Sequence, residues 1–473
     1  MSRFERATCY GKRLMSVYLF AIVAYLAALA AAGVWRSRTV HTGDDFLVAG
    51  RTLPARVLVF TLLSTWIGSG SLFAGAGLGY RAGFPALWLS AGAWVGIAIV
   101  YFLAPRVRRL AQYTVPDILE TRYGPWGRIL GTMTTVLAYT AIAAYQFRGG
   151  GRLLNLVSGI DPRIGTLVTA AFCIAYAALA GMLSVAYLDV ANGIMMIVGA
   201  LVAVAYLVGH AGGPDAAFAA LRPDQLTVFG PMSPFDAVAL FLPTLFLLLG
   251  EANMYQKFFS ARDERAARTA VLGWIVGTIV VEALIVSIGV FGSVAVPGLG
   301  LQDSEAIAVR VAIDVLPKGF GILLVAGAAA IIVSTATSFL LTPATSLTRD
   351  VYHRFVNPMA GDRELVRLTR ALIIALGIVG LVAGNFFPTI LAMSLWAYTM
   401  YGAGVTPALL AALVWPRVAR EAGVASIAVG MATTVIWEVA ALVSGVHPLG
   451  IQTIYPALAA SIATLVAATL GKR

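Results

Sequence analysis

Apolar stretches of spanning length, separated by short polar loops, recur along all 473 residues of the chain, and no other feature restricts its fold so severely. A helix needs about 20 mostly apolar residues to cross about 30 Å of hydrocarbon. Thirteen stretches qualify: residues 14–35, 54–78, 84–105, 129–154, 164–183, 186–209, 234–256, 269–295, 319–346, 369–386, 388–415, 422–444 and 452–470. The composition agrees: 60% of the residues are hydrophobic and 12% charged, with a mean hydropathy of +0.87, outside the range of soluble domains. The expected fold class is an all-α polytopic membrane protein of about 13 transmembrane helices, with the lipid bilayer as its surroundings.

The formal charge of +11 would suit a nucleic-acid partner if the basic residues clustered, but they alternate by loop. Twenty-two of the 33 Lys and Arg residues fall in one set of loops (36–56, 106–128, 257–268, 349–370, 417–420 and the tail), against nine in the other. The positive-inside rule makes the richer set cytoplasmic. The expectation is a multi-pass protein of the inner (plasma) membrane, N-terminus outside and C-terminus cytoplasmic, with no nucleic acid and no obligate protein partner. Arg3, Arg6, Lys12 and Arg13 run against that bias. The stretch after Arg13 has spanning length without a cleavage-like site, so it reads as a retained helix. Two cysteines, Cys9 and Cys173, make no disulfide framework, and four scattered histidines make no metal site. No HExxH, GxSxG or triad-like grouping is present, so no enzyme activity is expected.

Two stretches interrupt their own helices. STWIGSGSLFAGAGLGY (64–80) places five glycines after Ile67, and LPTLFLLLGEANMYQKFF (242–259) contains Pro243, Gly250, Glu251 and Asn253. Glycine serves close helix packing, but unpaired carbonyls inside a bilayer are tolerated where they line a cavity or bind something. Each interrupted stretch opens a block of five spans, and an odd number per block inverts the second relative to the first. Broken helices at matching places in inverted halves mark the binding site of a secondary transporter. The expected division is therefore residues 1–53 as an extra N-terminal helix and loop, 54–209 and 234–415 as inverted repeats, and 422–473 as two C-terminal helices. DSEAIAVRVAIDVLPKG (303–319) reads as a short amphipathic helix on the outer surface.

Polar groups inside the apolar stretches are the candidate site residues. IIVSTATSFLL (331–341) carries Ser334, Thr335, Thr337 and Ser338 within five positions. Such hydroxyls bond the carbonyl four residues back, pair with a neighbouring helix, or hold an ion. Glu251 and Arg148 lie within spans, where an ionised group costs at least ~2.5 kcal/mol on insertion scales. Either they pair with each other, or Glu251 meets an ammonium and Arg148 a carboxylate of a solute.

DDFLVAGRTLP (44–54), WIGSGS in the first broken stretch, GMLSVAYLDVANG (181–193), GEANMYQKFFSARDERAARTA (250–270) and STATSFLLTPATSLTRDVY (334–352) together resemble the sodium:solute symporter family. The resemblance covers about residues 40–420. It implies the leucine-transporter-type core of 5+5 inverted helices, with one helix before and two after. It also implies a sodium ion between the first and eighth core helices, here on the carbonyls of Thr65, Gly68 and Ile331 and the hydroxyls of Ser334 and Thr335. Five hard neutral oxygens suit a hard monovalent cation. Some members hold a second sodium, which here would use Asp189 with Thr337 and Ser338 beside Ser334. Ser69 and Ser71, in the stretch that matches the family's solute site, join Arg148, Glu251 and Asn253 as candidate solute contacts.

The function expected from the resemblance is sodium-coupled symport, importing a small organic solute by alternating access, an amino acid or small carboxylate before a sugar or other polar solute. Sodium is the one cofactor expected, as one ion or two. A channel or a transport-like sensor is the alternative class, and the lack of a soluble signalling domain in the sequence argues against the sensor.

Overall fold

The computed structural model describes residues 3–37, 43–110 and 114–471 and is helical throughout, the described residues showing one isolated bridge and no strand. The loop expected at 36–53 lies partly, and the basic tail Lys472-Arg473 wholly, outside the described residues. Helix α1 (Arg3–Ser37) precedes a bent pair, α2 (Ala55–Trp66) and α3 (Gly70–Ala82), which meet at 56°. Four long helices follow: α4 (Leu87–Leu110), α5 (Pro125–Ser158), α6 (Pro162–Leu179) and α7 (Gly181–His210). The second broken pair is α8 (Pro234–Gly250) and α9 (Ala252–Ser260), followed by α10 (Glu264–Ala295), α11 (Lys318–Ser346) and α12 (Asp362–Ala383). The remaining helices are α13 (Ile390–Gly404), α14 (Thr406–Val414), α15 (Arg420–Ser444) and α16 (Ile454–Leu470).

Among the described residues, nine helices are long and apolar enough to cross a membrane, and ten if the bent α2–α3 pair is one span. The other three expected spans coincide with α1, α5 and α16. The apolar parts of α1 and α16, Val17–Gly33 and Ile454–Leu470, are shorter than that measure, whereas α5 has 34 residues with Arg128, Arg148 and Arg152 along it.

Both expected breaks are present, and each has a local cause. At the first, Ile67 leaves the helical region (φ −74°, ψ 113°). A Cβ on Gly68 would stand 2.7 Å from the Gln146 amide and 3.0 Å from the Thr335 methyl, so glycine is what lets α2 approach α5 and α11. At the second, Glu251 is extended (φ −60°, ψ 109°) and its carboxylate caps α9 by accepting the Met254 N–H at 3.0 Å. The far ends of the two breaks are tied together: the Leu53 N–H donates to the Ser260 carbonyl at 3.0 Å and the Arg262 N–H to that of Leu53 at 3.1 Å. Gly181, at φ 65°, makes the corner between α6 and α7.

Helix α11 runs through the middle of this arrangement, with every residue from Leu324 to Ser346 buried and α7 and α5 against it. A helix apolar or hydroxylated on all sides is what such a position requires. The segment at 303–319 departs from expectation. It forms three short helical pieces, Leu301–Ser304, Ile307–Arg310 and Val311–Val315, and most of residues 304–312 are buried. Its Glu305 carboxylate turns inward and accepts the N–H groups of Ile390 and Leu391 at 3.3 and 3.1 Å. The free donors and positive end of α13 are satisfied by a carboxylate there, which draws the segment in from the surface.

Candidate functional site

The end of α2 and the middle of α11 meet through Thr335, whose Oγ1 lies 3.1 Å from the carbonyl oxygens of both Ser64 and Ile67. These carbonyls belong to the last turn of α2, where the break removes the next turn's amide donors. The pair is one residue earlier than the expected Thr65 and Gly68. The reason is visible in the backbone: the Gly68 carbonyl accepts the Leu72 N–H at 2.9 Å and so belongs to the start of α3. Ile331 is buried one turn before Thr335 on α11. The hydroxyl of Ser334 donates to the Asp189 carboxylate, which also accepts Thr61 Oγ1 at 2.5 Å. Ser64 Oγ donates to the Asp189 carbonyl at 2.8 Å.

Two carbonyls at an open helix end and two adjacent hydroxyls, with a carboxylate behind one of them, are hard oxygen donors that fit an alkali cation. No three His, Cys, Asp or Glu side chains converge among the described residues, so the donor set is unlike a transition-metal site. The residues expected for a second sodium do not form a shared cage. Thr337 turns its hydroxyl back onto the Val333 carbonyl at 2.7 Å, Ser338 Oγ lies 3.2 Å from Thr65 Oγ1, and Asp189 is held by Thr61 and Ser334.

Beside the first break lies a small cavity of about 20 Å³, lined by Trp66, Ser71, Ser90, Glu282, Ser394 and Tyr398 among others. It has the room of about one water molecule. Glu282, buried at 4% exposure, accepts the indole N–H groups of Trp66 at 2.8 Å and Trp94 at 3.0 Å, with Ser71 Oγ 3.5 Å away. Reading the sequence missed Glu282. The signal was present, since it is a lone acid in the apolar run WIVGTIVVEALIVSIGVF (274–291), and the rule that singled out Glu251 applies to it equally.

The other candidate solute residues are dispersed. Ser71 reaches the cavity. Ser69 is buried beside it, its N–H donating to Gln146 Oε1 at 2.7 Å and its hydroxyl without a partner. Asn253 is buried at the second break with neither atom of its side-chain amide bonded, which leaves it free to bind something polar. Glu251 is occupied by its cap and by the Tyr139 hydroxyl at 3.1 Å. Arg148 points the other way, donating to the carbonyls of Gly384 at 3.1 Å and Phe387 at 2.6 Å. Of the two expected alternatives, mutual pairing is not what the structure shows: Glu251 and Arg148 bond to separate partners. Arg148 lines a separate vestibule of about 720 Å³ with Arg152, Arg163, Arg310, Asp303 and Glu305.

Comparison with known proteins gives the same picture. The sequence profile of the sodium:solute symporter family matches residues 46–430. The high-affinity proline transporter PutP of Bacillus subtilis (strain 168) is 27% identical, over 84% of this chain and 87% of its own length. The sodium/pantothenate symporter of Escherichia coli (strain K12) is 26% identical, over 93% of this chain and 94% of its own. Among solved structures, a Na+-coupled sialic acid symporter in a substrate-bound outward-open state has the same fold, with a TM-score of 0.81 at 18% identity over 96% of this chain and 97% of that one. With the two broken helices, the hydroxyls of α11 against the first of them and a profile match over most of its length, the chain belongs to the sodium:solute symporter family, a membrane symporter coupling sodium to a small organic solute.

Proposed function

We propose that the transported solute is a compact zwitterion of the amino-acid class. The observation that carries this reading is Glu282, a buried carboxylate facing the cavity at the first break and held there by two indole N–H groups. An ammonium is its natural counterpart, and the positive N-terminal end of α3 beside Ser71 suits the carboxylate of the same molecule. Proline, named for PutP, has both groups. A second reading, a solute with a carboxylate alone, is favoured by the four arginines of the vestibule set against two acids, and pantothenate, named for another relative, carries such a group. The residual volume of about 20 Å³ means that a solute enters only as the helices around the cavity move apart.

The coupling ion binds, on this reading, between the carbonyls of Ser64, Ile67 and Ile331 and the hydroxyls of Ser334 and Thr335. An ion there joins α2 to α11, and a ligand shifts an equilibrium through the difference in its affinity for the two states. Sodium thus favours the form in which those helices are in contact. The charge bias of the loops supports insertion in the plasma membrane with the N-terminus outside and the C-terminus cytoplasmic. Residues 54–209 and 234–415 would then be the two repeats, flanked by 1–53 and 422–473, with transport rather than catalysis as the activity.

Sodium-dependent uptake by proteoliposomes tests both parts, using labelled amino acids, amine-free carboxylates and sugars. Sodium-driven accumulation of an amino acid that Glu282→Gln abolishes, beside unaltered sodium binding, is the expected result. Accumulation of amine-free carboxylates undiminished by that change supports the second reading and overturns the first.

A further inference from the structure

Lys257 is fully buried at 0% exposure, in a chain whose basic residues otherwise favour the loops. The sequence groups it with the loop at 257–268, but the structure places it on α9, reaching into the polar seam between α2 and α11. Lysine is almost never buried completely unless something receives its charge. Its Nζ donates to the Thr61 carbonyl at 3.2 Å and to Thr65 Oγ1. Thr65 Oγ1 in turn lies 3.2 Å from Ser338 Oγ, and Thr61 passes its own hydroxyl to Asp189 at 2.5 Å. The ammonium is thus one hydroxyl removed from Ser338 and is bound to the backbone carbonyl of Thr61, the residue whose hydroxyl holds Asp189; Ser338 and Asp189 are two members of the set expected to hold a second sodium.

We propose that Lys257 is a resident cation, its ammonium standing in for a second sodium ion and so restricting the chain to one sodium. This rests on the reading of the first sodium site given above. The oxygens around Nζ are a backbone carbonyl and a hydroxyl, the donor types that would otherwise coordinate a metal ion, and an ammonium is a compact charge suited to them. The two buried acids that interact electrostatically with Lys257 are Asp189 and Glu251. One sodium together with Lys257 balances those two carboxylates. A second sodium would leave an excess positive charge away from water, which is strongly unfavourable. The hydroxyls fit the same account, for Thr337 is turned into its own helix and Ser338 is engaged with Thr65.

Equilibrium binding of radioactive sodium to the purified full chain tests the proposal without recourse to transport. The expected result is one ion per wild-type chain, one for Lys257→Arg and two for Lys257→Gln, with Lys257→Met as the neutral variant if the glutamine form does not purify. Two ions per wild-type chain overturn it outright, whether or not any variant folds. So does a folded neutral variant that still binds one ion. No sodium on the wild-type chain would instead refute the first site, on which this inference depends.

Discussion

Thr335 carries the proposed ion site at the scale of single residues. Its hydroxyl reaches two carbonyls of the broken helix, while that of Ser334 is held by Asp189. On the proposed site, removing Thr335 Oγ1 takes away one of the ion's oxygens and leaves two carbonyls without a donor, a loss of ~1.4 kcal/mol if one hydrogen-bond equivalent goes. Thr335→Ala should therefore raise the half-saturating sodium concentration about tenfold, measured by sodium titration of uptake, with protein yield unchanged. The hydroxyl pair was legible in the sequence as polarity out of place in an apolar run. The carbonyls that Thr335 reaches, those of Ser64 and Ile67, lie one position before the expected Thr65 and Gly68, because the end of a helix depends on which amide claims the last carbonyl, and Leu72 claims that of Gly68. Glu282 escaped notice although its exposure to the same insertion argument is no different from that of Glu251.

At the scale of elements, the breaks carry the predictions. A methyl at Gly68 would press on the Gln146 amide and on the Thr335 methyl. Gly68→Ala should thus lower sodium affinity and uptake together, by forcing α2 away from α11, as followed by sodium binding to the purified protein. Glu251 is a helix cap. Glu251→Ala should lower the thermal stability of the detergent-solubilised protein by about 1 kcal/mol, the usual worth of an N-cap, and Arg148→Gln should not restore it, since Arg148 bonds the carbonyls of Gly384 and Phe387. Full rescue by the second change would contradict the geometry. Glycines and Pro243 revealed both interruptions in the sequence, because local backbone chemistry suffices to break a helix. The inward turn of residues 304–312 was not revealed, since a segment with helical spacing looks the same whether its polar groups face water or cap a helix 85 positions later.

For the whole molecule, the two proposed halves are also joined at the end opposite the vestibule. Arg128 of α5 pairs with Asp117, Glu120 and Asp350, the last at 3.1 Å and fully buried. This ties the first half to the continuation of α11. Removing the charge from one side of a buried ion pair costs about 3–5 kcal/mol, so Arg128→Gln should destabilise the protein by that amount in thermal unfolding and depress uptake of every solute alike. The sequence by itself determined the membrane class, the helical architecture, the two breaks and the hydroxyls of α11. Each follows from local composition, because apolar runs of this length satisfy their backbone in hydrocarbon as helices. Only the tertiary structure decided that Arg148 and Glu251 stand apart, that Glu282 faces the cavity and that Lys257 lies inside with Asp189 rather than in a loop. Those outcomes depend on where side chains from helices far apart in sequence point, to within the few tenths of an ångström that separate a hydrogen bond from none, and no run of neighbouring residues specifies that.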